Sequence, residues 1–160
     1  MQNFEKILEL LIDNEVEFVL VGGFAATVHG VTLLTHDIDV CVPFNVENAG
    51  KIISAFKEHH PKYSSNKLPL SSDVEYVAAL KNLYLTTDLG NIDMLGLVGG
   101  LGSYQDVVQH AIEIEIFGRV CKVLDIDALI KAKKAMGGPK DHEAVAQLNL
   151  IKKSLGLNRK

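Results

Sequence analysis

The chain has 160 residues, 48% of them hydrophobic and 22% charged, enough to bury a core without disulfide or metal staples and without the Pro-, Ser- or Gln-rich bias of a disordered segment. Its formal charge of −4 is uneven: residues 131–160 hold eight of the sixteen Lys and Arg and only two of the twenty Asp and Glu. That asymmetry fits an anion-binding end or a solvated, lysine-rich helix face.

The spacing of Phe4, Ile7, Leu8 and Leu11, stopped by Asn14, predicts a first helix over residues 3–13. Val16–Val21 is short, apolar and β-branched, a strand buried on both faces that ends at Gly22-Gly23, with a short helix over Phe24–His29 closed by Gly30. His36–Val42 alternates, with Ile38, Val40 and Val42 on one face and Asp37, Asp39 and Cys41 on the other. Val46–His60 has helical periodicity up to Pro61, and residues 61–75, rich in Pro and Ser, read as the least ordered stretch.

Tyr76–Thr87 and Asn91–Leu95 read as strands around Asp88-Leu89-Gly90. Ser103 with Asp106 forms a capping-box start to a helix, and Ile112–Phe117 with Arg119–Leu124 a hairpin through Gly118. Asp125 or Asp127 caps a helix ended by Gly137-Gly138; Pro139 opens the last one, stopped at Gly156. The expected fold is α/β of the α+β type, a small mixed sheet flanked by helices. It forms one domain over residues 1–160, with a core of about 1–124 and a helical pair of about 125–156, and disorder confined to the last few residues.

Targeting signals are not evident. The uncharged run Phe18–Thr35 carries three glycines, a histidine and three threonines and runs into Asp-Ile-Asp, which argues against a membrane span, and the acidic N-terminal helix has no signal-peptide n-region. Cys41 and Cys121 lie in β-like apolar runs and read as buried thiols of a reducing cytoplasm.

The chemistry concentrates in Val21–Val40. Asp37 and Asp39 point the same way from one strand, and at an effective dielectric of roughly 20 two carboxylates about 4 to 5 Å apart repel by on the order of 3 to 4 kcal/mol. A divalent cation relieves this, and Mg²⁺ suits the donor set because it takes a few carboxylates and leaves its other positions to water and phosphates. Asp93, on the polar face of Asn91–Leu95, is the third acid, and three acids on one sheet face suit two metal ions. Gly22-Gly23 lets backbone approach a phosphate closely. Lys133 and Lys140 are candidates for triphosphate oxygens or are solvated helix lysines, and Thr32, Thr35 and His36 precede the acids in the loop. The remaining histidines lack zinc spacing, Gly96–Gly102 lacks a dinucleotide or P-loop pattern, and no nucleophile elbow occurs.

Gly22-Gly23, thirteen intervening residues, Asp37-Ile38-Asp39-Val40 and the later Asp93 resemble the nucleotidyltransferase superfamily that includes DNA polymerase β. Residues 123–141, with Val123–Ile130, Lys133 and Pro139-Lys140-Asp141, look like the closing helices of small bacterial members, some of them components of toxin–antitoxin systems. Gly22-Gly23 stands where many members have Gly-Ser, and Gly138 where many of the small ones have Arg. The resemblance implies the nucleotidyltransferase fold and transfer of a nucleoside monophosphate from an NTP to a hydroxyl, with two Mg²⁺ (or Mn²⁺) ions on Asp37, Asp39 and Asp93. It also implies phosphate contacts from Gly22, Gly23, Thr35, His36, Lys133 and Lys140. The acceptor stays open between tRNA or another RNA, an antibiotic-like small molecule and a protein side chain. A non-catalytic nucleotide-binding protein, or one half of a two-component module with a partner protein, stands beside it.

Overall fold

The computed structural model describes residues 2–156; the expected disorder of the last few residues concerns positions outside them. Helix α1, Phe4–Asp13, starts at Asn3, whose side chain accepts from the Lys6 N–H, and buries Ile7, Leu8 and Leu11. Strand β1 spans only Val19–Val21. Val16 and Phe18 are buried as expected, but the intervening Glu17 is held by a side chain instead of a ladder: its N–H donates to Asn48 Oδ1 and its carbonyl accepts from Asn48 Nδ2. Asn48, 2% exposed, also donates to the Pro43 carbonyl.

Helix α2, Gly22–Val28, begins at the glycine pair, so the two glycines form its first turn and not a loop before it. Strand β2, Ile38–Cys41, is shorter than its alternation predicts. Residues before it are drawn away from the sheet, because the Thr32 N–H and hydroxyl donate to Gln147 Oε1 and Lys140 Nζ donates to the Leu34 carbonyl. Helix α3, Val46–Phe56, tightens into a 3₁₀ turn at Lys57–His59 before His60 adopts a positive φ.

The stretch 61–75 is more ordered than its composition suggests. Lys62–Tyr63 forms β3, and the chain folds back through Tyr63 N–H to the Leu68 carbonyl and Leu70 N–H to the Pro61 carbonyl. Asp73 then caps α4, Val74–Ala78, accepting from the Glu75 and Tyr76 N–H groups, so the first residues of the expected Tyr76–Thr87 strand are helical. The local cap overrides the β propensity of Tyr76 and Val77. Strands β4, Asn82–Thr87, and β5, Gly90–Leu95, follow as an antiparallel pair, and Leu97–Val98 (β6) with Gly102–Ser103 (β7) makes a separate two-stranded ribbon.

Ser103 donates through N–H and hydroxyl to Asp106 at the start of α5, Tyr104–Val107. Strands β8, Ala111–Ile116, and β9, Arg119–Leu124, are joined by Phe117-Gly118, both at positive φ, the twist that suits a two-residue hairpin. Asp125 caps α6, Ile126–Met136, which ends at Gly137 with φ +74°; α7, Pro139–Ser154, closes the described chain.

Seven strands form one mixed sheet in the order β3-β4-β5-β2-β1-β9-β8, with β2 parallel to β5 and β1 parallel to β9. One sheet face buries Ile38, Val40, Leu83, Leu85, Ile92 and Met94, and α1, α3 and α4 pack together beside it. Helix α2 packs on β1, β2 and α6, and α6 on α7, which closes the other side of the sheet around its acidic residues. No helix of the described residues is long and apolar enough to cross a membrane.

Because Asn48 satisfies three backbone groups from a buried position, Asn48→Ala is expected to cost about 2 kcal/mol, read as a lower urea midpoint at unchanged m-value. An unchanged midpoint would show that water replaces the clamp at no cost.

Candidate active site

Asp39 lies in the middle of the sheet, paired with Val21 of β1 on one side and with Asp93 of β5 on the other. Directly paired residues project from the same face, and neighbouring strands stand about 4.8 Å apart, so the two carboxyls are forced together by register. Asp37, in the bend just before β2, faces them from the same side; Asn91 Nδ2 donates to its Oδ1 at 3.4 Å, and the Thr35 hydroxyl donates to its carbonyl at 3.3 Å. All three acids are half-buried.

This crowding has an electrostatic cost. The Asp39 carboxyl is pushed up to about 7, first by burial and then by the charges of Asp93 and Asp37, against the pull of Lys133. Asp93 is raised by burial and by Asp37, and its hydrogen bond with Asp39 acts the other way, so the shared proton favours Asp39. Without a cation, a proton keeps the pair from full ionisation below about pH 7.

Gly22 is the point of contact between α2 and this cluster. At φ +73° it occupies the left-handed region, and a Cβ there would stand 2.3 Å from Asp39 Oδ2. A Cβ on Gly23 would stand 2.8 Å from the Thr35 hydroxyl. The glycine pair therefore lets the start of α2 lie against the acid-bearing strand and its loop.

A cleft of about 280 Å³ opens over the acids. Its walls include Gly23, Thr35, His36, Asp37, Asp39, Asp93, Lys133 and Lys140, which the fold gathers from α2, the loop before β2, β2, β5, α6 and α7. Gly22 is not among them; it sits behind Asp39. Thr32 is taken up by Gln147. Lys133, 16% exposed, lies 3.7 Å from Asp141, which also accepts from the Gly138 N–H at the start of α7. Sequence reasoning placed Asp141 only within a closing helix; its position three residues into that helix, after Gly-Pro, was the signal that it turns back toward the cleft.

No family model and no curated protein matches the chain. Solved structures do. The lincosamide antibiotic adenylyltransferase LnuA, bound to lincomycin, matches with a TM-score of 0.64 over 94% of this chain and 98% of that one, at 16% identity. The antibiotic-resistance factor ANT(2'')-Ia matches with a TM-score of 0.59 over 95% of this chain and 82% of that one, at 18% identity. Its complex with adenylyl-2''-tobramycin matches with a TM-score of 0.57 over 96% and 88%, at 18% identity. The chain has the nucleotidyltransferase fold. Within that fold Asp39 and Asp93 stand on two adjacent parallel strands with Asp37 in the bend before one of them, and the α6–α7 pair supplies the basic wall of the cleft.

Among the described residues no group of three or more His, Cys, Asp or Glu is arranged to hold a metal ion by itself. The donors are hard carboxylate oxygens, which suit Mg²⁺ bound through one or two carboxylates with its remaining positions left to water and phosphate, and such a site needs no closed protein cage.

The Asp39 shift sets a pH dependence. An aspartate that ionises near 4 when unfolded and about 7 when folded binds its proton more tightly in the folded state, so the metal-free protein loses stability as pH rises from about 4 to 7 and levels off above. Asp39→Asn removes this, and at pH 8 in chelator the variant is expected to be more stable than the parent by about 2 to 4 kcal/mol, the two converging near pH 4. Urea denaturation of both proteins across that range measures it, and parallel curves would contradict the shift. Gly22→Ala is expected to unfold more readily and to lose ligand binding together, as a Cβ at this φ meets Asp39.

Proposed function

We propose that the chain is a metal-dependent nucleotidyltransferase, moving a nucleoside monophosphate from an NTP to a hydroxyl acceptor and releasing pyrophosphate. The observation that carries this reading is the pairing of Asp39 with Asp93 across parallel strands, on the floor of a cleft whose far wall holds two lysines. Acid on one side and base on the other is the layout needed to neutralise a triphosphate while activating a hydroxyl beside it. The three matched structures, of enzymes or resistance factors acting on lincomycin-type or tobramycin-type antibiotics, support a small-molecule acceptor.

In this reading Asp37, Asp39 and Asp93 would hold two Mg²⁺ ions, or Mn²⁺ in their place, which would offset their mutual repulsion and the charge that builds on the phosphate oxygens. Lys133 and Lys140, with the backbone at Gly23, face the β- and γ-phosphates, and Thr35 and His36 border the same space. Lys140 is held at the cleft edge by the Leu34 carbonyl, so its ammonium is positioned before any ligand arrives. Asp93, in the cleft floor and raised in pKa by burial and by Asp37, takes the acceptor proton. The acceptor oxygen bonds to the α-phosphorus as the bond to the bridging oxygen breaks, and pyrophosphate carries that electron pair away.

We place the reaction in one domain over residues 1–160, and the two free, buried cysteines support a cytoplasmic setting.

Asp39→Asn and Asp93→Asn are each expected to lower transfer by about a thousandfold, roughly 4 kcal/mol of transition-state stabilisation, while the circular dichroism spectrum stays that of the parent. Pyrophosphate release with Mg²⁺ and each NTP in turn is the assay. Release at the parental rate from either variant would remove the assignment, and magnesium-dependent NTP binding without any release would leave a nucleotide-binding protein.

A further inference from the structure

Strand β5, which carries Asp93, is flanked unequally by its neighbours. β4 pairs with it from Gly90 to Leu95, whereas β2 joins only at Ile92, opposite Ile38. Gly90 and Asn91 therefore extend past the start of β2, and a side chain takes up the backbone there. Gln2 Oε1 accepts from the Asn91 N–H and Gln2 Nε2 donates to the Asn91 carbonyl, both at 2.9 Å, so the Gln2 amide stands in for a peptide unit of a neighbouring strand. Asn3 N–H adds a bond to the Leu89 carbonyl. Gly90 makes room for this clamp: it lies at φ +126°, and a Cβ there would stand 2.3 Å from Gln2 Oε1. Gln2 and Asn91 are 89 positions apart, and only the fold brings them together.

The clamp bears on the acids through the Asn91 side chain. Asn91 and Asp93 are two apart on one strand, so both project from the acid face, and Asn91 Nδ2 donates to Asp37 Oδ1 at 3.4 Å. Asp37 needs such a support more than the other two acids. Asp39 and Asp93 are fixed by the paired register of β2 and β5, whereas Asp37 lies in the bend before β2, where the Thr35 hydroxyl donates to its carbonyl. The charges of Asp39 and Asp93 repel its carboxylate. A neutral amide suits this place, because it fixes one oxygen without cancelling the charge that attracts a cation, as an ammonium would. Asp37 lines the cleft, and with the Asn91 amide on Oδ1 its carboxylate still has lone pairs to offer there.

We propose that Asn91 is a positioning residue for the cation site, holding the Asp37 carboxylate ready for a divalent ion, and that Gln2 acts through it by fixing the Asn91 backbone. The proposal rests on the metal-dependent transfer reading above. Hydrogen-bond partners of a ligating carboxylate set its orientation, and their loss lowers metal affinity by about 10- to 100-fold.

The test is Mn²⁺ added alone to the full chain at about pH 8, where Asp39 is ionised, with the free ion read by electron paramagnetic resonance. Asn91→Leu, close in shape and without the donor, is expected to bind Mn²⁺ about 10- to 100-fold more weakly than the parent, with an unchanged circular dichroism spectrum. Asn91→Ser, polar but too short to reach Asp37, is expected to show the same loss. Gln2→Ala is expected to weaken binding by a smaller factor, and the double variant Gln2→Ala/Asn91→Leu to bind no more weakly than Asn91→Leu alone, as two residues acting in series do. Parental affinity in either Asn91 variant overturns the role of Asn91, and losses that multiply in the double variant overturn the route from Gln2 through Asn91. A parent that binds no Mn²⁺ also overturns the proposal; one that in addition binds no ATP in calorimetry with Mg²⁺ overturns the transfer reading with it.

Discussion

The rest of this structure accommodates one constraint: two aspartates on adjacent parallel strands, in register, facing the same way. Their register is fixed by burial on the opposite face, since Ile38, Val40, Ile92 and Met94 are fully covered and a slip by one residue would turn the acids into the core. The sheet thus trades hydrophobic stabilisation on one side for electrostatic strain on the other. What surrounds the acids answers that strain: Gly22 leaves room for the Asp39 carboxylate, Asn91 donates to Asp37, and Lys133 places a positive charge nearby.

Much of this was legible in the sequence because it follows from period two. Alternation put Asp37 and Asp39 on one face and Asp93 on the matching face of its own strand, and turn chemistry marked Gly118 and Gly137. What alternation cannot give is which strands are neighbours, so the pairing of Asp39 with Asp93 appears only in the sheet order. Local capping was the other blind spot. Asp73 makes a helix from Val74–Ala78, of which Tyr76 onward reads as strand, and a few backbone bonds order the Pro- and Ser-rich stretch before it.

Side chains that reach across the fold were also beyond the sequence. Asn48 holds Glu17, thirty-one positions away, and Gln147 holds Thr32. The first replaces a length of expected strand with a side-chain clamp, and the second fastens a loop. The loop that leads into Asp37 is consequently fastened to α7, so the last helix takes part in positioning the acids although it contributes none of them. Gly22 carries a related lesson: its place beside the acids was visible, but its reason is steric contact with Asp39, whereas Gly23 alone reaches the cleft wall.

The hairpin at the other margin of the sheet bears on how the molecule behaves in crowded solution. β8 is an outermost strand whose sequence alternates isoleucine with exposed Glu113 and Glu115. If two copies met edge to edge in antiparallel fashion about Ile114, Glu113 of each would stand opposite Glu115 of the other, and like charges so placed repel. The margin that could template fibre growth is therefore guarded by its own acidic residues.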